Sequence, residues 1–144
     1  MKWGFGVLRL ALWGIACLVL AISGGCSKSA VKEVPLTYQH LKLLSRAYIL
    51  ATDDLGHPPT NRDELFPYVK KQGDPEKILR SSDDNEEFVI LYGVDYHTQP
   101  PPVTIYEKKG NGGKRHVVRV RDIYQMSGED FKKAPFPEGH KAPI

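Results

Sequence analysis

Apolar side chains recur at helical spacing in the part of the chain that begins at residue 36. The recurring residues are Leu36, Leu41, Leu44, Tyr48, Ala51 and Leu55. This spacing places one apolar stripe along a helix, so it predicts an amphipathic helix over residues 36–53. Gly56 and the prolines that follow it, Pro58 and Pro59, are typical of a helix end.

Two short helices are predicted after this break. Thr60 or Asn61 can cap the first of them, and an acidic residue three positions later can complete a capping box. Asp74 followed by Pro75 is a second helix opening, because proline is favoured in the first turn.

Residues 87–94 form an almost continuous apolar run that begins the second half of the domain. A strand exposed on one face would alternate apolar and polar residues, and this run does not. It therefore predicts a central strand with both faces covered.

Further strands are predicted over residues 103–108, 114–120 and 123–126. The glycine-rich segment 109–113 between the first two is a hairpin turn. Ser127 can cap a last helical turn. The predicted fold class is α+β, with the N-terminal amphipathic helix packed on one face of a three- or four-stranded antiparallel sheet.

The first 25 residues resemble an export signal in their anatomy. Lys2 and Arg9 give a positive start, and residues 10–22 form a run of 13 uncharged, mostly apolar residues. A membrane-spanning helix needs about 20 apolar residues. The short run therefore favours a secretory signal peptide.

Small residues, Ser23 to Gly25, lead directly to Cys26, and this arrangement resembles the bacterial lipobox. There the thiol receives a diacylglyceryl group, the chain is cut before the cysteine, and the new amine is acylated. The resemblance implies an exported, membrane-anchored protein whose domain faces the periplasm or the cell exterior. The expected segments are a signal peptide (1–25), a lipidated tether (26–35), an α+β domain (36–134) and a proline-rich tail (135–144).

The charge of the chain changes once the signal is removed. The 144 residues include 20 Lys and Arg against 17 Asp and Glu, a net charge of +3. Removal of Lys2 and Arg9 leaves 18 basic residues against the same 17 acidic ones. A nearly neutral domain does not suit nucleic-acid binding. The lipid anchor that the lipobox resemblance implies makes the membrane one expected partner, and an envelope protein at its surface is another.

Cysteine and histidine positions do not indicate a metal site. Cys17 would leave with the signal, and lipid would cap Cys26. No thiol would then remain for a disulfide or for zinc. The histidines lack the spacing of metal ligands and are scattered at His40, His57, His97, His116 and His140. We predict no cofactor.

An acidic cluster precedes the predicted strand at residue 87. Its candidate calcium ligands are Asp83, Asp84 and Glu86, because calcium takes several oxygens from one loop. The EF-hand spacing and its glycine are absent. The alternative is a solvated turn, which is the usual role of such a charge run.

Three arginines, Arg115, Arg119 and Arg121, are predicted to share one face of the third strand, since strand side chains alternate between faces. Such a stripe could meet an anionic partner or lipid phosphates. The alternative is a solvent or edge face that resists aggregation.

No arrangement of residues in the sequence indicates catalysis. A nucleophile-elbow sequence does not occur. Gly110, Gly112 and Gly113 lie in a hairpin and not between a strand and a helix, so they do not form a phosphate loop. We expect a protein that is not an enzyme, and no small-molecule substrate is identified.

The stretch from Leu43 to Leu65 is similar to the soluble part of type II secretion pseudopilins. In that family a helix with a tyrosine near its end, here Tyr48, leads into a Gly-x-Pro turn, here Gly56 to Pro58, and then into a short helix. The resemblance covers residues 36–126. It implies a helix lying on a small antiparallel sheet and a role in binding or assembly.

Three functions remain open from the sequence. The first is a non-enzymatic envelope lipoprotein with a pseudopilin-like head, acting as a binding or assembly module. The second is a minor type II secretion pseudopilin inserted through residues 5–22. Gly4–Phe5 fits a prepilin cleavage site, although Arg9 stands where the family carries Glu. The third is a small envelope enzyme without a recognisable motif.

Overall fold

The computed structural model describes residues 34–140 and 142–143. The predicted signal segment, Cys26 and most of the predicted tether lie outside the described residues. The described part of the chain folds into four helices and a four-stranded antiparallel sheet, which confirms the α+β class. No helix in this part is both long and apolar enough to cross a membrane.

The first helix, α1, spans Leu36–Leu55 and is amphipathic as predicted. Its buried side includes Leu41, Leu44, Ala47, Tyr48 and Ala51. The helix ends at Gly56, which has a φ of 75° and donates its N–H to the Thr52 carbonyl at 2.9 Å. Glycine adopts this left-handed conformation at little cost. The predicted helix and its end are confirmed, with two more residues than expected.

Two shorter helices follow, α2 at Arg62–Gln72 and α3 at Pro75–Ile78. The Asn61 side chain accepts the N–H of Glu64 at 3.0 Å, and the Glu64 carboxylate accepts the N–H of the residue before the cap at 2.8 Å. These reciprocal bonds satisfy N–H groups that a helix start leaves without partners. Asp74 caps α3 in a similar way. Both predicted helix openings are confirmed.

The sheet contains four strands in the order β1-β2-β3-β4. Their bounds are Val89–Ile90 for β1, Ile105–Tyr106 for β2, Lys114–Arg119 for β3 and Asp122–Ser127 for β4. Val117 is paired with Tyr106 on one side and with Tyr124 on the other. The last helix, α4, spans Gly128–Lys132 and is capped by Ser127, whose side chain accepts the N–H of Asp130.

The prediction of a central strand over residues 87–94 is wrong, because β1 is short and lies at the edge of the sheet. Both faces of the segment are nevertheless covered. Phe88 and Ile90 pack on the α1 side, whereas Val89 and Leu91 pack on the α4 side. A continuous apolar run indicates that both faces of a strand are buried. It does not indicate that the strand has a neighbouring strand on each side.

The sheet separates two apolar clusters. The larger one joins α1, α2 and α3 to the sheet through residues such as Leu44, Leu65 and Val118. The smaller one lies on the opposite face around Phe131 of α4. Its aromatic members include Phe136 from the proline-rich tail, whose ring centroid lies 5.1 Å from that of Phe131. The tail carries no helix or strand over residues 135–140 and packs against this face.

The turn between β2 and β3 depends on one glycine. Gly110 has a φ of 74°, and a Cβ at this position would collide with the Lys114 carbonyl oxygen and lie 2.8 Å from the Arg115 Cα. Gly112 has a φ of 58° but has open space around it. Residues with a Cβ are strained in both conformations, and only Gly110 adds a backbone clash.

We predict that Gly110→Ala lowers the free energy of unfolding by about 1 to 3 kcal/mol more than Gly112→Ala does, because only the first forces neighbouring backbone to move. Urea denaturation of both variants measures this difference. Equal losses of stability in the two variants would contradict the close approach at Gly110.

Candidate functional site

The carboxylates predicted as calcium candidates bind partners within the protein. One Asp84 oxygen accepts the N–H groups of Lys109 and Gly110 at 2.9 and 2.8 Å, and the other accepts the N–H of Glu86 at 2.9 Å. Glu86 forms ion pairs with Lys108 and Lys109. The acidic segment thereby holds the β2–β3 hairpin in place. Asp83 faces a different partner, His116.

The predicted face of three arginines is wrong with respect to Arg121. Arg115 and Arg119 both lie in β3, where Arg115 covers the Phe131 ring at 4.3 Å and Arg119 donates to the Pro101 carbonyl at 2.8 Å. The strand ends at Arg119, and a two-residue turn reverses the chain. Val120 in that turn has a φ of 60°. Arg121 therefore leaves the strand alternation and lies beside α1 instead.

A buried carboxylate forms the centre of a polar cluster between the hairpin and α1. Glu107 is 0% exposed. Its Oε2 accepts from the His116 backbone N–H at 2.6 Å and bonds His116 Nδ1 at 2.8 Å. Its Oε1 accepts from the Ser81 hydroxyl at 2.6 Å. A carboxylate removed from water is costly unless it is paired and hydrogen-bonded, and here both oxygens have donors.

The cluster extends from this carboxylate to the first turn of α1. The Ser81 hydroxyl lies 3.2 Å from the buried Thr37 hydroxyl, which accepts the N–H of Ser82 at 3.0 Å. The Asp83 carboxylate lies 3.6 Å from His116 Nδ1. The cluster thus joins three segments that are far apart in the sequence: the start of α1, residues 81–83, and the β2–β3 hairpin.

Glu107 and His116 shift each other's titration. Burial acts to raise the pKa of Glu107, but the hydrogen bonds from His116 and Ser81 outweigh it and hold that pKa below its ordinary value of 4.5. The hydrogen bond to Glu107 raises the pKa of His116 above its ordinary value of 6.5, against the opposing effect of burial. Both shifts favour an ionised pair in the folded protein.

The order of groups in the cluster differs from that of a hydrolase triad. In a triad the histidine lies between the nucleophile and the acid, so that it can remove the nucleophile's proton. Here the carboxylate lies between Ser81 and His116, and the serine proton is held by Glu107. This arrangement fixes positions and does not activate Ser81.

The same cluster also contains three groups that can ligate a metal. Asp83, Glu107 and His116 each offer one ligand atom, and these atoms lie within 4.8 Å of one another. The hydrogen bonds already use the Glu107 oxygens and His116 Nδ1, and a metal would have to displace them. The donor set therefore fits the hydrogen-bonded network better than it fits a resident cation.

Sequence reasoning missed this cluster. It left His116 among scattered histidines and gave Glu107 no role. The hairpin was the available signal, because a turn centred between residues 111 and 112 places Glu107 opposite His116. The involvement of Ser81 could not be foreseen, since it depends on how α3 returns the chain to the sheet.

A shallow groove of about 400 Å³ lies along the outer side of α1. Arg121 borders it from the β3–β4 turn, and Asp53 lies among the α1 residues that line it. The other lining residues are Lys42, Leu43, Ser45, Arg46, Ile49 and Leu50. The groove combines aliphatic side chains with three cations. Ser45 fixes the turn beside it by donating its hydroxyl to the Val120 carbonyl at 2.6 Å.

Comparison of the chain with known protein families, curated proteins and solved structures found no match.

We predict that the Glu107–His116 pair gives the free energy of unfolding a maximum between pH 4.5 and pH 6.5, the ordinary pKa values of the two groups. The contribution of Glu107 is lost as the pH falls through its lowered pKa. The contribution of His116 is lost as the pH rises through its raised pKa. Denaturation at a series of pH values measures both losses.

His116→Gln should lower the free energy of unfolding near neutral pH by about 3 to 5 kcal/mol, because it leaves a buried carboxylate without its charged partner. Part of this loss should be recovered as the pH falls and Glu107 binds a proton. His97→Gln, at an exposed position, serves as the control and should keep the parental profile. A parental profile in His116→Gln as well would contradict the ionised pair.

Proposed function

We propose that this protein is a non-enzymatic, membrane-anchored envelope lipoprotein whose α+β domain acts as a binding or assembly module. The observation that carries the proposal is the export-type segment ending in Ser23-Gly24-Gly25-Cys26. Acylation of that cysteine and of the new N-terminus adds two or more chains, enough for stable anchoring. The module would work at the surface of a bacterial membrane.

The described fold is compatible with a short tether. The first helix begins at Leu36, ten residues after Cys26, so little chain separates the lipid from the domain. A domain held this close to the bilayer has its partners at the membrane surface. These are envelope or secretion proteins, or the lipid itself.

We further propose that the domain is a pseudopilin-like head. Three features support this likeness: the long first helix, the Gly-x-Pro turn after it, and an antiparallel sheet behind them. The Tyr48 hydroxyl donates to the Leu91 carbonyl at 3.0 Å and accepts the Val94 N–H at 3.2 Å. The Gly93 N–H bonds the Pro59 carbonyl at 2.8 Å. The tyrosine and turn that carry the resemblance thus both hold the segment after β1.

A minor pseudopilin is the second candidate, because Gly4–Phe5 matches the start of a prepilin cleavage site and an apolar run follows. It would insert through residues 5–22 and would keep the segment that a lipoprotein loses. The two candidates therefore differ in the N-terminal residue of the mature chain.

The intact mass of the protein extracted from bacterial membranes separates these candidates. We predict a chain that starts at Cys26 and carries acyl groups, and we predict that Cys26→Ser loses both the acyl mass and the cleavage. Cys17→Ser is the matched control and should leave the mature mass unchanged. A chain starting at Phe5, or an unprocessed chain, would contradict the lipoprotein proposal.

A further inference from the structure

The outward side of α1 carries a strip of exposed and half-buried apolar residues. Leu36, Leu43 and Leu50 are seven residues apart and therefore lie on the same side of the helix. Leu36 is 53% exposed, and Val34 just before the helix is 50% exposed. This strip runs from the end of the helix that the tether enters to the groove beside Arg121.

Cations flank the strip along its length. Lys42 and Arg46 project from α1, and Arg121 approaches from the β3–β4 turn. An ion pair requires a carboxylate oxygen within 4.0 Å of a side-chain nitrogen. Among residues 34–140, none of these three cations has a carboxylate oxygen that close. Asp53 lines the same groove without an ion pair to any of them. The three cations outnumber this one carboxylate, so the surface keeps positive charge for an anionic partner.

The proposed lipid anchor places a bilayer within reach of this strip. Val34 lies eight residues after Cys26, and a chain of that length spans at most about 28 Å. The helix is about 30 Å long. A domain on such a tether can lie with α1 along the membrane surface.

We propose that the outward strip of α1, together with Lys42, Arg46 and Arg121, docks on the anionic bilayer that holds the lipid anchor. The apolar side chains would enter the boundary between headgroups and acyl chains. Amphipathic helices bury their apolar face to a depth of about 5–10 Å there. The three cations would lie among the anionic headgroups. Docking would fix the orientation of the head and leave the α4 face of the sheet directed away from the membrane.

This inference rests on the lipoprotein proposed above. A bilayer explains the strip better than a protein partner does, because the most exposed apolar residues lie where the tether enters. The turn at Val120, which has a φ of 60°, also contributes to this surface. By reversing the chain after Arg119, it places Arg121 on the α1 side with the other two cations.

The absence of tryptophan from the mature chain permits a direct test. Trp3 and Trp13 are the chain's two tryptophans, and both precede Cys26. Leu36→Trp and Leu50→Trp then each provide a single reporter, the two lying about 21 Å apart along the helix. Tyr124→Trp, at a residue 40% exposed on the opposite face of the sheet, is the matched control.

The acylated proteins are reconstituted into vesicles of phosphatidylcholine with or without phosphatidylglycerol, some carrying brominated acyl chains. We expect Leu36→Trp and Leu50→Trp both to shift to shorter wavelength and to be quenched by bromine in the phosphatidylglycerol vesicles. The control should remain exposed to water. Quenching at Leu36→Trp alone would overturn the proposal, since the tether by itself can bring that end near the bilayer.

The cations are tested in the Leu50→Trp background. Reversal of Lys42, Arg46 and Arg121 to glutamate should abolish the quenching while the protein stays with the vesicles. The matched reversal of the exposed Lys114, Lys132 and Lys133 to glutamate changes the net charge equally and should preserve it. Equal effects of the two triple variants would overturn the assignment of the cations.

The remaining outcomes separate the inference from the function on which it rests. A protein that fails to stay with the vesicles and lacks acyl mass overturns the anchor itself. An anchored protein whose Leu50→Trp emission is the same with and without phosphatidylglycerol overturns only the docking. A shift that appears without vesicles and grows with protein concentration shows contact between copies and also overturns it.

Discussion

The burial of one carboxylate constrains the described domain more than any other interaction. Glu107 has no exposed surface, and a buried charge is tolerated only when it is paired and hydrogen-bonded. Its donors come from the opposite strand of its hairpin and from the segment after α3. These parts of the chain must therefore meet in a single arrangement before the carboxylate can leave water.

That requirement determines how the sheet and the helices fit together. The hairpin must pair in the register that places His116 opposite Glu107. The segment 81–83 must return to the sheet with the Ser81 hydroxyl aimed at the carboxylate, and the same hydroxyl lies beside Thr37 at the start of α1. Apolar burial supplies the larger part of the stability on both faces of the sheet, but it is not directional. The hydrogen bonds of the polar cluster are directional, so they select this one arrangement of the segments.

Local patterns predicted the helices well. The apolar spacing defined α1, and the caps at Asn61 and Asp74 defined the two helices that follow, because these signals act within a few residues. The edge position of β1 could not be predicted, since its apolar run records burial and not strand neighbours. The departure of Arg121 from the strand face could not be predicted either, because it depends on the backbone conformation at Val120. Ser81 joins the buried cluster through tertiary structure alone.

The outer side of α1 shows how a constrained fold can present a surface. The inner side of the helix is fixed by the core and by Thr37, so the orientation of the outer strip relative to the sheet is fixed as well. Ser45 bonds the Val120 carbonyl and thereby joins the helix to the turn that carries Arg121. An apolar and cationic surface held in this way can orient the domain on a bilayer without a conformational change in the domain.

The titration of His116 followed by NMR of its ring nitrogens tests the central constraint most directly. The resonance is assigned by its loss in His116→Gln. An ionised pair predicts that His116 titrates above its ordinary pKa of 6.5 and that Nδ1 keeps its proton, donated to Glu107, throughout the transition. Titration at or below 6.5, or loss of the proton from Nδ1, would contradict the account.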